Sequence, residues 1–119
     1  MDFVKTAAAV VLSAAALIGG AVPATAGPLT PPYPTVTAWH DVNVRTCPDT
    51  SCVSPYPILA GRSSVAYCWT HGQTITDAGI TNDVWLLVSR QDGGKLYASA
   101  VYFLGDEYAN LPATAECTY

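Results

Sequence analysis

Short stretches of this chain either alternate between apolar and polar positions or are apolar throughout and rich in β-branched and aromatic residues. Residues 36–45 and 65–69 show the alternation, and residues 83–89 form the most apolar stretch after the first thirty residues. Both patterns predict β-strands. Beyond the N-terminal leader, no stretch keeps the apolar spacing of three and four that marks a helix, although residues 98–104 have room for one short helical turn. The pattern therefore predicts an all-β fold.

Turn-forming residues separate the predicted strands. Residues 47–57 contain three prolines and predict a long ordered loop, which is followed by a short strand at residues 58–60. The polar residues 70–82 predict a second loop. Residues 91–94 include two glycines that tolerate positive φ, so we expect a hairpin whose second strand is residues 95–99. Together these elements predict a small barrel of about five short strands.

The first 26 residues have the organisation of a cleavable secretory signal peptide. Lys5 precedes an apolar run at residues 7–18, and the small residues 24–26 suit cleavage before Gly27. A membrane anchor is the alternative, but the run is shorter than the ~20 residues that a spanning helix needs. We therefore expect an exported protein, secreted or associated with the cell wall, that has no membrane contact after cleavage.

The remainder divides into an arm and a single domain. Residues 27–36 contain four prolines, which favour an extended, polyproline-like arm. Residues 37–119 are enough for one domain and too few for two, so we expect one domain with a C-terminal tail. Acidic residues outnumber basic ones, nine to five. Nucleic acids and anionic polymers are therefore unfavourable partners, and a neutral, zwitterionic or cationic ligand is expected.

Four cysteines lie beyond the leader, and an even number in an exported chain predicts disulfides. Three pairings exist. The short separation of Cys47 and Cys52 across a turn favours a local bridge, which leaves Cys68 to pair with Cys117 and tether the tail. A zinc site is the alternative, but four-cysteine zinc sites normally contain two close pairs, and only one is present.

Four segments carry a family resemblance. Residues 42–48 (VNVRTCP), 59–61 (LAG), 85–88 (WLLV) and 97–102 (YASAVY) resemble, in order and spacing, the bacterial SH3-like domain family, in a secreted and disulfide-containing form. The match spans about residues 38–104. The resemblance implies an SH3-like barrel and a small binding module that holds cell-wall peptidoglycan or its peptides. In this motif Arg45 is expected to have a structural role; the alternative is that an arginine at the end of a strand binds a ligand carboxylate.

Catalysis is not expected from these residues. His40 and His71 are the only histidines, the residue type used most often for acid-base catalysis, and both disulfides would consume every thiol. None of the common nucleophile, zinc-protease or phosphate-loop motifs is present. A small hydrolase is therefore the weakest hypothesis. We also predict no cofactor and no metal site, because nothing in the spacing brings three ligands together.

The aromatic residues are the best candidates for a binding site, because aromatic faces stack on sugars or hold short peptides. Trp85 and Tyr97 are expected in the core. The predicted ligand-binding residues are Tyr56, Trp69, His71 and Tyr102. The leading hypothesis is a secreted, non-catalytic module that binds peptidoglycan or a short peptide. The alternative is an extracellular protein-protein interaction domain, an inhibitor or assembly partner, that presents the rigid loop 47–57 to another secreted protein.

Overall fold

Six strands and one short helix form the regular structure of residues 29–118, the part of the chain that the computed structural model describes. The strands are β1 (Thr35–Thr37), β2 (Val42–Val44), β3 (Tyr56–Ile58), β4 (Ser63–Asp77), β5 (Ile80–Ser89) and β6 (Lys95–Ser99), and a 3₁₀-helix covers Ala100–Tyr102. An antiparallel sheet has the order β1-β4-β5-β6, and β2 pairs with β3 in a second sheet. The predictions of an all-β fold and of one short helical turn are confirmed.

The two sheets do not close into the predicted barrel. A single bridge joins β2 to β6, in which the amide of Arg45 donates to the carbonyl of Tyr97 at 2.7 Å and the amide of Tyr97 donates back at 2.8 Å. A closed barrel needs a continuous, staggered ladder. β2 and β3 have three residues each, and Pro57 in β3 has no amide hydrogen to donate. The second sheet is therefore too short to complete a barrel.

Residues 70–82, which the sequence predicted to be a polar loop, are instead the outer half of the β4–β5 hairpin. Asp77 pairs with Ile80, which leaves Ala78 and Gly79 as a two-residue turn. Both turn residues have positive φ, 53° and 78°, as the tight hairpin turn that follows the twist of the strands requires. The β-branched residues on either side favour extended backbone, so the strands continue to the turn.

The four-stranded sheet is buried on both faces around its centre. Leu86 and Trp85 are neighbours in β5 and point to opposite faces, yet they are 0% and 1% exposed. Leu86 belongs to the main apolar cluster, which also contains Val42, Val44 and Phe103. Burial on both faces explains why residues 83–89 read as an unbroken apolar run.

Both predicted disulfides are present, Cys47–Cys52 and Cys68–Cys117, with Cα–Cα distances of 5.7 and 5.1 Å. The second fastens the C-terminal segment to β4, where Trp69 and Glu116 also form a parallel bridge. Two disulfides are consistent with an extracellular protein. Within residues 29–118, no helix has the length and apolar character needed to cross a bilayer. The predicted signal peptide lies outside the described residues.

The C-terminal half of the predicted arm packs on the domain. Tyr33 meets Tyr67 edge to face, with ring centroids 4.7 Å apart. The carbonyl of Pro34 accepts a hydrogen bond from the amide of Ala66 at 2.9 Å. Val36 in β1 is buried in the apolar cluster. These contacts make residues 33–36 part of the sheet region of the fold.

Candidate functional site

A cleft of about 240 Å³ opens where β2 faces the 3₁₀-helix and the outer part of the β4–β5 hairpin. Its floor is the buried ring of Trp85, whose Nε1 donates a hydrogen bond to the carbonyl of Gln73 at 2.8 Å. The cleft is lined by His40, Asp41, Val42, Asn43, Arg45, Thr50, Ile75, Trp85, Ser99 and Tyr102. The site thus combines an apolar floor with polar walls, as small-ligand sites commonly do.

Tyr102 forms one wall, and the 3₁₀-helix positions it. Ser99 caps this helix by accepting a hydrogen bond from the amide of Val101. The hydroxyl of Tyr102 donates to Oδ2 of Asp77 at 2.8 Å. Partial burial raises the pKa of Tyr102, the hydrogen bond and the negative charge of Asp77 raise it further, and Arg45 opposes them. The hydroxyl therefore stays protonated and directed at Asp77 at neutral pH.

Three rings cluster on this side of the cleft. The centroid of His40 is 5.4 Å from that of Trp39 and 5.4 Å from that of Tyr102. Trp39 is held in place because its Nε1 donates to the carbonyl of Val101 at 2.9 Å. The Nδ1 of His40 lies 2.7 Å from the carbonyl oxygen of Asp41. A carbonyl accepts only, so this contact assigns the proton of neutral His40 to Nδ1 and leaves Nε2 as an acceptor.

Arg45 holds the disulfide loop that forms the opposite wall. Its Nη1 donates to the carbonyls of Thr50 and Cys52 at 2.9 and 3.0 Å. The amide and hydroxyl of Thr50 in turn donate to the side-chain oxygen of Gln73 at 2.7 and 2.8 Å. The sequence predicted a structural role for Arg45, and these contacts agree with it. Arg45 also lines the cleft.

The loop rests on Gly72, and this close approach gives a testable prediction. A Cβ at Gly72 would collide with the carbonyl oxygen of Pro48 and lie 2.6 Å from its Cβ and 2.8 Å from Cδ1 of Trp85. Gly72→Ala is therefore expected to lower the free energy of unfolding by about 1–3 kcal/mol, the usual cost of overpacking. Urea denaturation followed by tryptophan fluorescence measures the loss. Gly94→Ala is the control, because a Cβ at Gly94 would have its nearest contact at 3.3 Å. This variant is expected to lower the free energy of unfolding by less than Gly72→Ala.

The four predicted site residues do not converge on one site, although two of them are neighbours: the rings of Trp69 and His71 meet edge to face with centroids 5.3 Å apart. Tyr102 lines the cleft described above, whereas Tyr56 lines a separate groove with Arg62 and Gln91. There the backbone amide of Gln91 donates to the Tyr56 hydroxyl at 2.9 Å. Trp69 is 4% exposed, and its ring packs in the core. His71 is exposed on the hairpin, with Nδ1 2.9 Å from Oδ1 of Asp83.

Sequence reasoning missed the residues that join Tyr102 in the cleft. The sequence brought in His40 for acid-base and metal chemistry and not as a binding residue, and Asn43 only as a polar position in a strand. Both lie beside Tyr102 because the amide of Trp39 donates to the carbonyl of Tyr102 at 2.9 Å, which draws the start of β2 to the 3₁₀-helix. No local pattern signals a contact between positions so far apart in the chain. The exposed Asn43 between two buried valines was the one available indication of a residue directed away from the core.

Comparison of the chain with protein-family models, with curated proteins and with solved structures found no match.

Proposed function

We propose that this protein is an exported, non-catalytic binding module that holds cell-wall peptidoglycan, through one of its short peptides, in the cleft between His40 and Tyr102. The observation that carries the proposal is the cleft itself, in which a three-ring cluster stands beside an apolar floor and polar side chains. Such a combination suits a small ligand with both apolar and hydrogen-bonding parts.

The state of the cysteines and of His40 supports a binding role. All four cysteines are in disulfides, so none is available as a nucleophile. His40 uses Nδ1 on the neighbouring carbonyl of Asp41 rather than on a serine or threonine hydroxyl. A binding module needs neither a nucleophile nor a base, and the cleft is well suited to that simpler task.

The same proposal includes kinship with the bacterial SH3-like domains. The VNVR segment lies in β2, and the WLLV segment lies at the centre of the β4-β5-β6 meander. The segment YASAVY spans the end of β6 and the 3₁₀-helix. This order of elements supports the resemblance, while the open sheets are a departure from a closed barrel.

The two histidines provide a matched test of the cleft. Both side chains are exposed, but only His40 lines the cleft. In a pelleting assay of the oxidised protein with purified peptidoglycan, His40→Ala is expected to weaken binding about tenfold, the effect of losing roughly 1.4 kcal/mol of contact. His71→Ala is expected to bind like the unsubstituted protein.

Either of two results would count against this proposal. If the unsubstituted protein fails to pellet at both low and high salt, wall binding is wrong. If His71→Ala abolishes pelleting while His40→Ala does not, the ligand binds on the hairpin and not in the cleft. Near-identical urea midpoints for the two variants serve as the control for folding.

A second candidate function is that of an extracellular protein-protein interaction domain. The loop at residues 46–55 is held by the Cys47–Cys52 disulfide and by Arg45, and it presents Val53, which is 70% exposed. A rigid loop with an exposed apolar tip loses little entropy on binding, which favours a protein partner. Under this hypothesis a stable complex with a secreted protein forms and is lost in Val53→Asp, while peptidoglycan does not pellet the protein.

A further inference from the structure

Charges of opposite sign face the cleft without pairing. Arg45 lines one side, and Asp41 lines another. Asp77 is joined to the same site through the Tyr102 hydroxyl. The charges of both Asp77 and Arg45 act on this hydroxyl, so both lie within electrostatic range of it.

None of these charged groups is in an ion pair with another described residue. The hydrogen bonds from Ser51 lower the pKa of the Asp49 carboxyl, and the positive charge of Arg45 lowers it further, so Asp49 on the disulfide loop is a negative charge that acts on Arg45. The ion pairs between residues 29 and 118 are His71–Asp83 and Arg90–Asp92, and both are outside the cleft. Arg45 bonds only backbone carbonyls, through Nη1, so its Nη2 and Nε have no acceptor among the described residues. Charges of opposite sign that lie at one site without forming an ion pair with each other are complementary to a ligand that carries both signs.

The two carboxylates also keep one oxygen each for a ligand. Oδ1 of Asp41 accepts from the amide of Ala60 at 2.8 Å, and Oδ2 of Asp77 accepts from Tyr102. The second oxygen of each has no hydrogen-bond donor within residues 29–118. An ammonium group supplies three donors, and the rings of Tyr102 and His40 lie at the same wall.

We propose that the cleft binds an amino acid or a short peptide as its zwitterion, with the terminal carboxylate at Arg45 and the terminal ammonium group at Asp77 and Asp41. Size supports this ligand class. Drug-sized ligands occupy pockets of about 300–1,000 Å³, and the cleft, at about 240 Å³, suits something smaller. The inference rests on the binding role proposed above and names the chemistry that the cleft recognises.

The test is an NMR titration of the ¹⁵N-labelled, oxidised protein with alanylalanine, read at the Trp85 indole and the Asn43 amide. The controls are N-acetyl-alanylalanine, which lacks the ammonium group, and alanylalanine amide, which lacks the carboxylate. Both are expected to bind roughly tenfold or more weakly, because hydrogen bonds to charged groups are among the stronger ones. Free alanine is also titrated: tighter binding of alanine than of alanylalanine identifies an amino acid as the ligand, and the reverse identifies a short peptide.

A pair of charge-matched variants completes the test. Asp77→Asn keeps an oxygen for the Tyr102 hydroxyl and removes the negative charge beside this wall of the cleft, so it is expected to weaken alanylalanine binding about tenfold. Asp92→Asn makes the same change of net charge in the β5–β6 turn, away from the cleft, and is expected to bind like the unsubstituted protein.

Equal binding of the blocked and unblocked dipeptides would overturn the inference, as would the absence of shifts at the cleft with every probe. Peptidoglycan pelleting that persists in either case would leave the proposed function in place and reject only the zwitterionic ligand. Binding of alanylalanine without peptidoglycan pelleting would instead support the zwitterion site and would show that the natural ligand is not part of the cell wall.

Discussion

Replacing Cys68 and Cys117 together by alanine is expected to lower the free energy of unfolding by roughly 4 kcal/mol. The disulfide joins residues 49 apart in sequence, so its removal gives the unfolded chain a large gain in conformational freedom. It also releases the C-terminal segment from β4. Small domains have a total stability of about 5–15 kcal/mol, so this loss is a large fraction of the whole. Urea denaturation of the oxidised proteins, followed by tryptophan fluorescence, measures it.

The second disulfide is the control within the same molecule. Cys47 and Cys52 are five residues apart, and their replacement by alanine is expected to cost roughly 2 kcal/mol in the same chain-entropy treatment. Equal losses in the two double variants, or a larger loss at Cys47 and Cys52, would contradict the expectation. The second result would locate the main stabilisation in the loop that forms a wall of the cleft.

Local patterns predicted the elements whose turns are encoded nearby. The glycines at residues 93–94 mark the β5–β6 hairpin, where the amide of Arg90 donates to the carbonyl of Gly94 at 2.7 Å. The short cysteine spacing likewise identified the first disulfide. In the β4–β5 hairpin the signal was weaker, because Ala78 is an uncommon residue for a turn with positive φ and the flanking strands are mostly polar, with Ile75 and Ile80 the apolar exceptions. Threonine-rich polar residues fit an exposed strand as well as a loop, and the two-residue turn decides between them.

Long-range pairing was beyond the sequence pattern. Residues 36–45 were predicted to form one strand, but the chain leaves β1 after Thr37 and enters the other sheet at Val42. The change of sheet depends on contacts with distant residues, such as the bridge between Ala38 and Phe103. The same contacts bring His40 beside Tyr102. Of the residues predicted to bind a ligand, only Tyr102 therefore lies in the cleft.

Trp69 shows why an aromatic residue in an alternating strand is ambiguous. Its position predicted a binding residue at a loop edge, but it faces the same side of the sheet as Leu86, its partner in β5. The C-terminal segment, which has almost no periodic pattern, covers that side. The ring of Tyr108 lies 4.5 Å from the ring of Trp69, and the carbonyl of Pro112 accepts from its Nε1 at 3.0 Å.

Trp69→Ala is accordingly expected to lower the free energy of unfolding by about 3–5 kcal/mol, the usual cost of removing a buried tryptophan. Trp69→Phe keeps an aromatic ring and loses the hydrogen bond to Pro112, so it is expected to cost less. Urea denaturation measures both. A change within about 0.5 kcal/mol for Trp69→Ala, the range typical of surface positions, together with loss of peptidoglycan pelleting, would return Trp69 to the binding site.

The tail contacts of Trp69 are expected to couple it to the long disulfide. Its amide donates to the carbonyl of Ala115 at 3.1 Å, and its carbonyl accepts from the amide of Cys117 at 2.7 Å. Because Trp69 and the disulfide hold the same segment, Trp69→Phe combined with Cys68→Ala and Cys117→Ala is expected to cost less than the sum of the separate losses. Additive losses would mean that the ring is buried independently of the tail. A shortfall of 0.5 kcal/mol or more, with faster hydrogen exchange at the Cys117 amide in each variant, would identify the tail as one cooperative unit fastened at β4.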